Sequence, residues 1–94
     1  MEALKAVTIR VYGRVQGVGF RYFILRNAQA LGLRGYVRNE PSGNEVFIYA
    51  EGEPEAIDRL IALARKGPLA ARVDRVEIDE VPPSHQWQDF QVVF

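Results

Sequence analysis

The sequence predicts an α+β sandwich, with two helices on one face of an antiparallel sheet. Three observations predict it. Strand-like and helical hydrophobic periods alternate in the order β-α-β-β-α-β, the split βαβ or ferredoxin-like arrangement. Each helical segment ends on a glycine, Gly32 or Gly67. The turn cluster Pro41, Ser42, Gly43 and Asn44 separates the second and third strands and makes them a hairpin.

Residues 5–13 alternate as strand one, with Val7, Ile9 and Val11 on one face. Helix one runs over residues 20–31 and turns Phe20, Phe23, Ile24, Asn27, Ala28 and Leu31 inward; Gly32 stops it and Leu33 closes the cap. Residues 35–39 form strand two. Residues 46–51 form strand three, with Val46, Ile48 and Ala50 on one face and Phe47, Tyr49 and Glu51 on the other. Glu53-Pro54-Glu55 opens helix two with the acids and the proline that a helix start prefers; its apolar face is Ile57, Leu60, Ile61 and Ala64. Residues 73–81 read as strand four and residues 87–94 as a short fifth strand with Phe90, Val92 and Phe94 aligned. No repeat or linker interrupts the chain, so residues 1–94 form one domain, long enough for one core.

In this topology strand three lies between strands one and two and is antiparallel to both. Strands one and two are then parallel and end at the same edge. What leaves strand one should face Asn39, which ends strand two.

What leaves strand one is Gly13-Arg14-Val15-Gln16-Gly17-Val18-Gly19-Phe20-Arg21, a glycine loop that opens directly into helix one. A helix N-terminus presents unpaired N–H groups and partial positive charge, which suits an anion. The glycines allow left-handed backbone and close approach of a ligand. Arg21 breaks a local rule, because the helix dipole disfavours a cation in the first turn; helix two begins with acids instead. An anion between the loop amides and the guanidinium turns that penalty into a gain. The loop is therefore a candidate phosphate cradle built from the backbone amides of Val15, Gln16, Gly17, Val18, Gly19 and Phe20, with Arg21. Its G-x-x-x-G-x-G spacing matches neither a nucleoside-triphosphate loop nor a dinucleotide fingerprint. Taken alone, the same spacing also suits a plain strand–helix turn.

Composition removes several classes. The chain has no cysteine, which excludes disulfides, thiolate metal sites and cysteine nucleophiles. Its one histidine, His85, reads as an exposed loop residue. Carboxylates are not clustered for a metal, so neither a metal nor a cofactor is expected. No apolar run reaches membrane-spanning length, and Met1-Glu2-Ala3-Leu4-Lys5 is no signal peptide, so a cytoplasmic location is expected. Net charge is zero but uneven. Residues 3–39 carry seven bases, Lys5, Arg10, Arg14, Arg21, Arg26, Arg34 and Arg38, and no acid, whereas residues 40–94 carry eleven acids and five bases. The asymmetry favours an anionic ligand near the first segment, although pairing within the fold accounts for most of these arginines.

At these residues the chain resembles the acylphosphatase family. The stretch from Gly13 to Arg21 is similar to that family's first signature in full, and Gly35-Tyr36-Val37-Arg38-Asn39, with Gly43, Val46 and Gly52, to its second. One departure stands out: Asn44 and Glu45 both separate Gly43 from Val46, where the family usually has one residue. The extra residue falls in the turn after Asn39, at the expected rim of the site. The resemblance implies hydrolysis of an acyl phosphate to a carboxylate and inorganic phosphate; no metal is needed, since Arg21 and the amides supply the positive field, and a monomer is expected. It also implies catalytic roles for Arg21, on the phosphate, and Asn39, which orients the attacking water. Inorganic phosphate or sulfate is expected to compete for the cradle. Family members often steady the arginine with the C-terminal carboxylate, here that of Phe94.

The residues suit such a reaction on their own terms. A departing carboxylate is a weak base, of pKa about 4 to 5, and needs little general-acid help. Positioning and charge stabilisation of a loose phosphoryl transition state then remain, and arginine suits bidentate contact with the nonbridging oxygens. Two other readings share the fold. RNA-recognition domains stack bases on strand-three aromatics, and Phe47 and Tyr49 share a face. Two acids around them, and a pI near 6.6, speak against RNA, so no nucleic-acid partner is expected. The other is a domain that binds acyl or carbamoyl phosphate without turnover; both signature residues being intact favours an enzyme.

Overall fold

The computed structural model describes residues 3–94; Met1 and Glu2, the head of the stretch read as no signal peptide, lie outside the described residues. The elements are β1 (Lys5–Arg14), α1 (Phe20–Ala30), β2 (Arg34–Asn39), β3 (Glu45–Gly52), α2 (Pro54–Lys66), β4 (Arg72–Val81) and β5 (Phe90–Val92). The first six lie where the hydrophobic periods put them.

The strands lie in the order β4-β1-β3-β2-β5. Strand β3 is antiparallel to β1 and to β2, and β4 is antiparallel to β1, which is the four-stranded antiparallel core that the sequence predicts. The fifth strand differs from expectation in two ways. It covers Phe90–Val92 rather than residues 87–94, and it joins β2 in parallel, so the sheet as a whole is mixed. The reason is topological. Strand β4 ends with Val81 opposite Ala6, at the end of the sheet where β2 begins. A chain crossing from there to the β2 edge enters beside Arg34 and runs in the direction of β2.

Both helices cover one face. Val7, Ile9 and Val11 of β1 and Val46, Ile48 and Ala50 of β3 are sealed beneath Phe20, Ile24 and Ala28 of α1 and Ile57, Leu60 and Ala64 of α2. Each large aliphatic or aromatic side chain so buried contributes about 1.5–3 kcal/mol. Helix α1 closes as the Gly32-Leu33 pair predicts. The Leu33 N–H reaches the Ala28 carbonyl at 2.9 Å and the Gly32 N–H reaches that of Gln29 at 3.1 Å, a Schellman pair.

The other sheet face is not open. The crossover of residues 82–89 lies over it and sets Trp87, expected within a strand, against Tyr36 at 5.0 Å between ring centroids. Ala6, Phe47 and Tyr49 are buried beneath, with Tyr36, Val81 and Trp87 packed on them. The crossover is held by Glu51, whose side chain is fully buried. Its Oε1 accepts from the Tyr49 hydroxyl at 2.6 Å, the Ser84 N–H at 3.1 Å and the His85 N–H at 3.4 Å. Burial alone would raise this carboxyl, but those hydrogen bonds and the charge of Arg34 outweigh it and hold Glu51 below the ordinary carboxylate value. Burial, and then the bond to Glu51, push the Tyr49 phenol up. His85 itself is exposed.

Candidate active site

Because β1 and β2 are parallel, Arg14 and Asn39 end at the same edge of the sheet, and the loop between β1 and α1 crosses that edge. Val15, Gly17, Gly19 and Phe20 line a single cavity of about 150 Å³ there. Arg21 and Asn39 complete its wall, joined by Tyr22, which the sequence did not single out.

The loop's path depends on two left-handed residues, Gly17 (φ 73°) and Gly19 (φ 79°). A Cβ on either would meet no protein atom within 4 Å. Backbone conformation, not crowding by the protein, therefore calls for glycine there. Gly19 is also the N-cap of α1, which has no side-chain cap and no acid in its first turn. The first tertiary-independent bond of the helix is Phe23 N–H to the Gly19 carbonyl, at 3.0 Å. Among the described residues, the N–H groups of Val15 through Tyr22 have no hydrogen-bond acceptor in the protein. Val15 is fully buried and anchors the loop's start; Val18 packs partly buried against the main core.

Of the six residues read as amide donors, Gln16 and Val18 do not line the cavity. Gln16 has a different task. Its Nε2 donates to the Glu40 carbonyl at 2.8 Å and the Glu45 carbonyl at 2.9 Å, tying the loop to both arms of the β2–β3 hairpin. A second tie runs from the Gly13 N–H to the Asn44 carbonyl, at 2.9 Å. Asn44 and Glu45, the pair where the family usually has one residue, thus face the loop; neither lines the cavity. The Glu45 carboxylate pairs with Arg10 at 2.7 Å and, chiefly through that hydrogen bond, raises the Arg10 pKa. The sequence contained no signal for the Gln16 contacts, because both acceptors are main-chain carbonyls more than twenty residues away.

The charge asymmetry resolves into two sets. Lys5, Arg10, Arg34 and Arg38 pair with Asp58, Glu45, Glu51 and Glu40. Arg14, Arg21 and Arg26 have no carboxylate within 4.0 Å among the described residues, and Arg21 lies on the cavity. Its neighbour at the C-terminus is the ring of Phe94, 5.0 Å from Cζ to centroid, rather than the carboxylate that the resemblance implies. The Oδ1 atom of Asn39 is buried and accepts no hydrogen bond. Among the described residues, no three of His, Cys, Asp and Glu converge as a metal site would need. No helix among them is long and apolar enough to cross a membrane.

The sheet face that RNA-recognition domains use is occupied by the protein's own groups. Phe47 is 7% exposed and Tyr49 8%. Arg10 and Arg38, which flank Phe47 in the strand register, lie over its ring at 4.7 and 4.8 Å. Neither aromatic is free to stack on a base.

A ferredoxin-like α+β sandwich whose first strand–helix loop presents unpaired amides and an arginine is the class of protein that this fold and site define. The acylphosphatase family profile matches residues 7–92. The acylphosphatase of Thermotoga petrophila is 47% identical over 91 residues, which cover 97% of this chain and 99% of that protein. That of Caldivirga maquilingensis is 49% identical over 86 residues, 92% of this chain and 90% of the other. The crystal structure of an acylphosphatase from Bacillus subtilis superposes with a TM-score of 0.91 at 34% identity, covering 98% of this chain and 100% of that one. The chain belongs to the acylphosphatase family, and is an enzyme that hydrolyses acyl phosphates.

Proposed function

We propose that the cavity holds the phosphoryl group of an acyl phosphate and that hydrolysis proceeds by in-line attack of water on phosphorus. The observation that carries this reading is the coincidence of unpaired donors with an unpaired acceptor. The loop amides and Arg21 lack anionic partners, and Asn39 Oδ1 lacks a donor, around one cavity of about 150 Å³. The nonbridging oxygens take the loop N–H groups and the guanidinium fork. Asn39 Oδ1 accepts a hydrogen bond from the attacking water and fixes its direction. The water oxygen–phosphorus bond forms as the phosphorus–acyl oxygen bond breaks. The electron pair leaves with the carboxylate, and a phosphoryl oxygen takes the water's proton. No strong general base is required, because the leaving group is stable as an anion and the rate comes from position and charge. Inorganic phosphate or sulfate, sharing the oxygen tripod, competes.

Turnover of benzoyl phosphate in ¹⁸O-labelled water tests this directly. Label in the inorganic phosphate supports attack at phosphorus. Label in benzoate places the attack at the acyl carbon and overturns the proposal.

A further inference from the structure

We propose that Tyr22, with the ring of Phe94, seats the acyl group of the substrate and favours acyl phosphates with a flat apolar body, aryl acyl phosphates above all. This rests on the reading of the cavity as a phosphate cradle. A cavity of about 150 Å³ has room for the phosphoryl group and its water, so the acyl group points out of the mouth. Of the four large hydrophobic residues exposed among the described residues, one lines this cavity and another touches its Arg21. Tyr22 lines the cavity yet is 55% exposed, and Phe94 is 97% exposed with its ring over the Arg21 guanidinium. Neither belongs to a core cluster, so the fold does not account for either ring. Rings placed beside a binding cavity and unused by packing are contact area for a ligand. The cavity lining includes no carboxylate and no cation beyond Arg21, so a charged acyl group finds no partner there.

The test compares kcat/KM for benzoyl phosphate and acetyl phosphate in the wild type, Tyr22→Ala and Tyr22→Phe, with inhibition by inorganic phosphate as a measure of the cradle. Dividing each variant's benzoyl-to-acetyl ratio by that of the wild type cancels the intrinsic reactivity of the two acyl phosphates. The expected result is a fall of about three- to tenfold for Tyr22→Ala, the size of one aromatic contact, and retention of the ratio by Tyr22→Phe. A ratio that stays within about twofold in Tyr22→Ala overturns the acyl seat while leaving the cradle standing. A fall matched by an equal loss of phosphate affinity also overturns it, because Tyr22 then shapes the cradle. A wild type that turns over neither acyl phosphate removes the proposed function and this inference with it.

Discussion

The side-chain amide of Gln16 donates to the main-chain carbonyl of Glu40 at 2.8 Å, and Glu40 directly follows Asn39. The loop that offers donors and the residue that offers an acceptor are therefore held together by one side chain outside the cavity. Gln16→Leu keeps most of the volume and removes both of its bonds. The expected loss of stability is about 1–2 kcal/mol, for two part-buried hydrogen bonds. The expected fall in kcat is at least tenfold, since a displacement of about 1 Å between reacting groups costs rate steeply. Urea melts and steady-state assays on one preparation check both. A stability loss with unchanged kcat makes the contact a fold element only.

Asn39→Ala separates catalysis from folding. The Oδ1 atom is buried without a donor, so its removal sacrifices no hydrogen bond of that acceptor. Stability should stay level or rise slightly, while kcat falls by about two orders of magnitude. Protection by inorganic phosphate should persist. If protection disappears as steeply as kcat, Asn39 is a binding residue and not the orienter of water.

The order of elements was legible because each carries its own period and punctuation: alternation in β1 and β3, helical spacing in α1 and α2, and glycines at both helix ends. The meeting of the glycine loop with Asn39 followed from the topology alone, since β3 antiparallel to two neighbours makes those neighbours parallel. Trp87 and β5 were not legible at this level. Local alternation over residues 87–94 suits a strand, but Trp87 is drawn to Tyr36 across the sheet, a contact between residues 51 positions apart. Tyr22 was passed over because an exposed aromatic on a helix has no periodic signature; only the cavity gives it meaning.

Activity should survive prolonged treatment with EDTA. The positive field at the cavity comes from Arg21 and the amides of an uncapped helix N-terminus, and the described residues gather no cluster of metal-binding side chains. Phosphate release from benzoyl phosphate, before and after chelation and again after adding magnesium or zinc, provides the measurement. Loss on chelation with recovery on a divalent ion would show that a metal supplies that field.

Glu51 sets an acid limit to stability. Its folded carboxyl lies below the ordinary value, so the ionised form is favoured by folding. The stability it contributes is fully present above the unfolded value near about 4.3 and is lost as pH falls from there through the folded value. Glu51→Gln should be less stable than the wild type at pH 7, by about 1–3 kcal/mol for a buried charge-assisted bond. The two should converge as pH drops from about 5 towards 3. Urea midpoints across that range provide the check; a gap that does not narrow means that packing, not charge, separates them.

Arg21 connects the charge pattern to the reaction. It stands in the first turn of a helix that has no acid there, and no carboxylate approaches within 4.0 Å among the described residues. The exposed ring of Phe94 lies 5.0 Å from its guanidinium carbon, worth about 0.5–1 kcal/mol, and the helix dipole opposes its charge by a comparable amount. Without an anion the two effects nearly cancel, so Arg21→Gln should unfold at close to the wild-type midpoint. Phosphate binds only the folded cradle and should stabilise the wild type by about 1.4 kcal/mol at ten times its dissociation constant. In Arg21→Gln that gain should almost vanish, because the guanidinium fork and its charge are gone, and hydrolysis should be undetectable. The measurement is a pair of thermal melts at constant ionic strength with sulfate excluded, since sulfate would fill the same loop. A variant that is much less stable without anion yet gains normally from phosphate would make Arg21 a structural residue and move the anion site elsewhere.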